Sequence, residues 1–204
     1  DMKNYSDLDE SARDLLREMG NIGTGNAVTS LAQMMGCQVD IRSPGVSIVK
    51  YQKLFDAIGH TEEVQTGILV EISGDISGIF LFLLDETFTE YVLNAILDSD
   101  IKGLGGLSEM EESLICELGN IVCGSYIRAL SQLLEIEIDV SVPSLCIDMG
   151  GAILSAPLSR IAQASDDILL IENTFYIDGE SFIGRILFFP ELEALETVVL
   201  KSRE

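Results

Sequence analysis

The sequence predicts an α+β fold: residues 1–204 as a single pseudo-two-fold domain of two α/β repeats, about 7–98 and about 107–201, with long helices packed against antiparallel β-sheet. Three observations predict it. A polar signature, Asp14, Glu18, Asn21 and Pro44, recurs as Ser113, Glu117, Asn120 and Pro143, every member displaced by 99 positions. Each half offers one long run of helical periodicity followed by short apolar runs bounded by Gly and Asp turns. Hydrophobic residues make up 47% of the 204, enough for a sizeable buried core.

The first helix is predicted from Ser6 to about Met35, on the spacing of Leu8, Ala12, Leu15, Leu16, Met19, Ile22, Ala27, Val28, Leu31 and Ala32, with a bend at its glycines. Its second copy is predicted from about Glu109 to Leu134. Ser108 supplies the N-cap there, and Glu111 is its capping-box partner. After each helix, alternating residues run to the motif proline: Val39 and Ile41 before Pro44, and Ile136, Ile138, Val140 and Val142 before Pro143. Proline lacks an amide hydrogen, so it should mark a strand end or edge. A variable connection follows, then two strands around a turn. These are Gly67–Ile72 and Ile76–Leu84 in the first half, and Ile168–Ile177 and Phe182–Phe189 in the second. Closing helices are predicted over Thr87–Leu97 and Glu191–Leu200. Between its proline and its last strand the second half carries a net insertion of seven residues.

Composition excludes several function classes. With 34 acidic against 12 basic residues, the formal charge of −22 repels nucleic acid and anionic lipid. The most apolar run, Ile76 to Leu84, is too short to span a bilayer, and a cytoplasmic protein without membrane insertion is expected. Cys37, Cys116, Cys123 and Cys146 form no CxxC pair, and the one histidine, His60, stands far from them, so no metal site is expected. Reduced thiols are the reading for the cysteines.

The repeated polar set carries the chemistry. Helical spacing places Asp14, Glu18 and Asn21 in one narrow sector, and Ser113, Glu117 and Asn120 in the equivalent one. A single such stripe reads as a solvated helix face; two in register do not. Gly20 and Gly23 beside Asn21, and Gly119 and Gly124 beside Asn120, imply close approach by a neighbour, either an adjoining helix or a docking partner. Gly20 to Gly25 lacks the preceding strand and following lysine of a phosphate-binding loop. Asparagine is no general base near neutral pH. Its carboxamide accepts and donates hydrogen bonds, which suits the orientation of a water attacking a phosphoryl group. Glutamate can hold a cationic partner residue.

Glu18-Met-Gly-Asn-Ile-Gly and Glu117-Leu-Gly-Asn-Ile-Val, each with a proline 23 positions beyond the asparagine, resemble the signature of the CheC/CheX/FliY family of chemotaxis phosphatases. The duplication is similar to CheC-like rather than single-copy CheX-like members. The resemblance implies hydrolysis of the aspartyl phosphate of the response regulator CheY. In that role Asn21 and Asn120 position the water and Glu18 and Glu117 anchor the regulator's lysine. Asp14 and Ser113 hold a variable position, and Mg2+ sits on the CheY partner, so this chain needs no cofactor. It further implies a monomer that binds the receptor deamidase CheD through a helix after Pro143, here Asp148 to Ser165, with Asp148 as N-cap, a small-residue face at Gly151 and Ala152, and Gln163 in a stretch similar to a receptor deamidation site. Pro157 interrupts that helix. The competing reading is a non-catalytic adaptor that sequesters phosphorylated CheY, CheD or a flagellar-switch component; intact Glu and Asn in both copies favour catalysis.

Overall fold

The computed structural model describes residues 9–161 and 163–203, with the side chains of residues 43 and 44 outside the description. Its elements are α1 (Glu10–Met35), β1 (Val39–Lys50), α2 (Tyr51–Ile58), β2 (Val64–Gly74), β3 (Gly78–Asp85), α3 (Glu86–Leu97), α4 (Glu109–Leu134), β4 (Ile138–Val140), β5 (Ser144–Met149), α5 (Gly150–Ser155), β6 (Asp167–Ile177), β7 (Glu180–Pro190) and α6 (Leu192–Lys201). The seven strands form one antiparallel sheet in the order β1-β6-β7-β3-β2, with β4 and β5 sharing the far side of β2.

Local chemistry sets the helix ends. The Asp9 carboxylate accepts from the Ala12 amide, so α1 starts at Glu10, and Gly36 ends it in the left-handed region at φ 66°. The predicted start at Ser6 lies outside the described residues. Helix α4 has the predicted bounds, with Ser108 and Glu111 closing the capping box in both directions. The Asp178-Gly179 loop between β6 and β7 holds both residues at positive φ, 50° and 82°, the two-residue geometry whose twist matches a hairpin.

Three layers result. Alternate residues of the central strands divide between two cores: Ile68, Val70, Phe80, Phe82, Ile171, Ile186 and Phe188 face α1, α3, α4 and α6, while Leu69, Ile79, Leu81, Leu170, Leu187 and Phe189 face α2 and α5. The middle strands are thus buried on both faces, which is why their sequences read as unbroken apolar runs.

The repeat extends further than the motif. Shifted by 99 positions, Val39–Lys50 becomes Ile138–Met149, and Tyr51 becomes Gly150, the first residue of α5. The motif prolines stand at an edge and outside the ladder, as expected, although the strand region continues past each of them. β1 runs through Pro44 as an edge strand with its register shifted between Arg42 and Gly45, and the chain resumes pairing with β2 one residue after Pro143. The post-proline helix is also present in both halves, as α2 and α5, because the first connection folds instead of wandering.

Candidate functional site

Asp14, Glu18 and Asn21 are exposed on α1, and Ser113, Glu117 and Asn120 are exposed on α4, each set along one face. What fixes these faces is burial on the opposite side. Ala12, Leu16, Met19 and Leu31 anchor α1, and Ile115, Leu118, Val122 and Leu130 anchor α4. Glu18, Asn21, Glu117 and Asn120 make no side-chain hydrogen bond to another described residue. Asp14 is held by Arg17 at 2.7 Å.

The flanking glycines serve packing within the chain. A Cβ at Gly20 would lie 2.9 Å from the Val46 side chain, one at Gly119 2.3 Å from Ile68, and one at Gly23 2.4 Å from the Tyr126 ring. The approach expected beside each asparagine is therefore made by the molecule's own sheet and by α4. Gly25 has nothing within 4 Å, and Gly124 meets only the flexible end of Arg128. Behind the stripes, Asn173 Nδ2 donates to the Tyr126 hydroxyl at 2.7 Å and Thr24 Oγ1 donates to Asn173 Oδ1 at 3.3 Å. Thr24 and Tyr126 are 2.7 Å apart, so the Tyr126 hydroxyl closes the ring onto Thr24. This buried ring ties α1, α4 and β6 together at the level of the asparagines.

The α4 stripe lines a groove, and a groove beside the α1 stripe is lined by that stripe's helix neighbours and not by Asp14, Glu18 or Asn21. On α4, Glu109, Glu112, Ser113, Cys116, Glu117 and Asn120 form one wall, and Val142, Pro143 and Leu145 form the other. On α1, Arg13, Leu16 and Arg17 face Val46, Ser47, Ile48 and Leu169. The strand walls lie beyond the alternating runs that lead up to the prolines; the signal that finds them is Val46 and Ile48 recurring as Leu145 and Ile147 at the same offset of 99. Cys116, which replaces Arg17 in the repeat, has its thiol pushed up by burial and then by the Glu112 charge, so it is no thiolate nucleophile. Among the described residues no three His, Cys, Asp or Glu side chains converge on a metal position. Nor is any helix among them long and apolar enough to cross a membrane.

The surface beyond Pro143 differs from expectation. Asp148 belongs to β5, pairs with Gln65, and accepts from the neighbouring Met149 amide instead of capping a helix. Helix α5 has six residues and stops before Pro157, which opens a short 3-10 turn. Gly150 and Gly151 donate to Glu63 and Thr61 carbonyls at 3.0 and 2.8 Å, and Gly151 packs against Phe55 and Thr61, so much of the small-residue face is occupied by this chain. Asp148, Ala152 and Gln163 are exposed, and Ala162 lies outside the described residues.

Comparison with known proteins uses the same two units. The CheC-like family profile matches residues 12–48 and 110–147, each a stripe helix with the strand that walls its groove. Two segments of the chain thus carry the CheC-like family profile. The chain is 29% identical to the CheY-P phosphatase CheC of Bacillus subtilis over 96% of this chain and 95% of that protein. In fold it is similar to Thermotoga maritima FliY (TM-score 0.71, 22% identity, 97% of this chain and 98% of that one). It is also similar to a structure of the CheX–CheY–BeF3–Mg2+ complex of Borrelia burgdorferi (TM-score 0.53, 14% identity, 83% and 96%). Both stripes lie within the segments that match that profile.

Proposed function

We propose that this CheC-like chain is a phosphatase that hydrolyses the aspartyl phosphate of a CheY-type response regulator, one stripe at a time entering the regulator's site. The observation that carries the reading is the pair of exposed Glu/Asn sets at an offset of 99, their side chains making no hydrogen bond within the described chain and so left for a partner. The relative named a CheY-P phosphatase and the CheX neighbour in complex with CheY support the substrate class.

In this reading Asn21 or Asn120 accepts a hydrogen bond from the attacking water and holds it in line with the scissile phosphorus–oxygen bond. The asparagine supplies order and not basicity, because charge on the transferring phosphoryl group is spread over its equatorial oxygens. Glu18 or Glu117 forms a charge-assisted contact with the regulator's lysine, fixing the depth of insertion. A magnesium ion on the regulator supplies the positive charge beside the phosphoryl oxygens, so no metal ligand is required of this chain.

Decay of a phosphorylated CheY regulator tests the proposal. Asn21→Ala with Asn120→Ala should slow assisted hydrolysis about a hundredfold or more, the scale of losing one positioned hydrogen-bonding group, with an unchanged thermal transition. Glu18→Ala with Glu117→Ala should weaken binding of the BeF3 form by about 1.5–3 kcal/mol. Tight binding of the regulator without accelerated decay by the wild-type chain would establish the adaptor reading instead. For the second partner, we infer that a CheD-type deamidase docks at the exposed Asp148, Ala152 and Gln163. Calorimetry should show weaker CheD binding by Asp148→Lys with unassisted phosphatase activity retained; undiminished binding refutes the assignment.

A further inference from the structure

We propose that the two sites are electrostatically different docking surfaces, and that Arg13 and Arg17 make the first one selective for an acidic rim around the phosphoryl group of its partner, a surface the second site repels. The inference rests on the phosphatase reading above and concerns which contacts bring the partner in. At five equivalent helix positions the first stripe carries Glu10, Arg13, Asp14, Arg17 and Glu18, with a formal charge of −1, whereas the second carries Glu109, Glu112, Ser113, Cys116 and Glu117, with a formal charge of −3. The difference is concentrated in the groove itself: Arg13 and Arg17 line the α1 groove, while Glu112 and the half-buried Cys116 stand in their places on α4.

Geometry makes these arginines part of the approach surface. Arg17 stands one helical turn before Asn21, and Arg13 one turn before Arg17, so the three fall within a sector of about 80° on one side of α1, and a partner seated at the asparagine has both guanidinium groups beside it. Asp14 holds Arg17 at 2.7 Å, which orients the guanidinium along the stripe; Ser113 has no charge and Cys116 needs none. A magnesium-bound acyl phosphate is surrounded by carboxylates, since such an ion is held through acidic oxygen ligands. A chain of net charge −22 repels that rim at long range, and two arginines among only 12 basic residues relieve the repulsion at one site. The second groove offers instead an apolar edge. Val142 is 87% exposed on its wall, and Met110, 70% exposed, lies on the first turn of α4. Its docking therefore relies on contacts that salt does not weaken.

Single-site forms of the full chain test this with CheY phosphorylated by acetyl phosphate. When ionic strength rises from about 20 mM to about 500 mM, kcat/KM of Asn120→Ala, which leaves the first site, should fall roughly fivefold, the upper range for an exposed ion pair. Asn21→Ala, which leaves the second, should hold steady or rise. Arg13→Glu with Arg17→Cys in the Asn120→Ala background should abolish the fall. Glu112→Arg with Cys116→Arg in the Asn21→Ala background should install it, a gain that misfolding cannot produce. Equal salt slopes in the two single-site forms, or transplants that leave the slopes where they were, overturn the proposal while leaving the phosphatase reading intact. Absence of acceleration by the wild-type chain overturns both.

Discussion

Tyr126 occupies the point where the two stripe helices are locked together. Burial dominates its titration and pushes the phenol up to about 12, against the lowering effect of its hydrogen bonds with Thr24 and Asn173. An unfolded tyrosine titrates near 10. Because the folded value is the higher, the native state holds the proton more tightly; this stability is fully present below about pH 10 and is lost as pH climbs through 12. Tyr126→Phe should cost about 1–3 kcal/mol at pH 7 by leaving Thr24 and Asn173 short of a partner. The gap between the variant and the wild type should narrow between pH 10 and 12, since the variant has no such proton to lose. Urea unfolding at pH 7 and 11.5 reads both, and Cys123, also pushed up to about 12 by burial, is common to the two proteins and cancels in the comparison. A constant gap would show that the phenol is not the linked group. None of this ring is visible in the sequence, where Thr24, Tyr126 and Asn173 are 102, 47 and 149 positions apart and belong to no shared motif.

At the scale of elements, α1 crosses α4 where Gly23 meets Tyr126, and two glycines a half-turn apart make opposite predictions. A Cβ at position 23 would stand 2.4 Å from the ring and 3.0 Å from the Tyr126 Cα, so backbone must move; Gly23→Ala should destabilise by about 1–3 kcal/mol. Gly25 faces open space in the same helix, and Gly25→Ala should stabilise by up to about 1 kcal/mol through helix propensity alone. Thermal unfolding of both variants checks the pair, and equal signs would refute the crossing. The same contrast explains what could be read in advance. The bounds of α4 were legible because the Ser108–Glu111 box is a local code. α2 was not, because Lys50 supplies no side-chain cap and its eight residues depend on Leu54 and Ile58 packing under the sheet. β1 was read too short because a proline matters only where an amide must donate, and an edge strand with a bulge makes no such demand. The stripe residues were legible since a polar set repeated at one offset stands out from the apolar periodicity of the helices; the groove walls were not, since they come from strands whose register is set across the whole sheet.

At the scale of the whole molecule, the two halves exchange their edges. β1 pairs with β6 of the second half along almost its full length, while β4 and β5 pair with β2 of the first. Between them β3 and β7 meet at the centre, with Leu81 opposite Leu187, its own equivalent at the offset of 106 that relates the last strands, so the pseudo-two-fold axis passes through that pair. Neither half can satisfy its own first strand. Alone, the first would present β1 without a ladder and β3 with a bare, fully apolar edge, and its α1 would lose α4. The full chain should therefore unfold as one cooperative unit. A chain cut in the connector between Asp98 and Ser108 should yield two fragments that are each without a cooperative urea transition, yet recover one when mixed, with the near-ultraviolet circular dichroism of the buried tyrosine returning at the same time. A cut between Gly105 and Gly106, where an added Cβ would meet nothing within 4 Å, makes this a fair test, since it leaves Ile101 bonded to Asn94 and the buried Leu104 with the first fragment and Leu107 with the second. If either fragment alone unfolded cooperatively, the exchange of edges would not be what makes the molecule one folding unit, and the ring of Thr24, Tyr126 and Asn173 that ties α1 to α4 and β6 would not be needed for either half to fold.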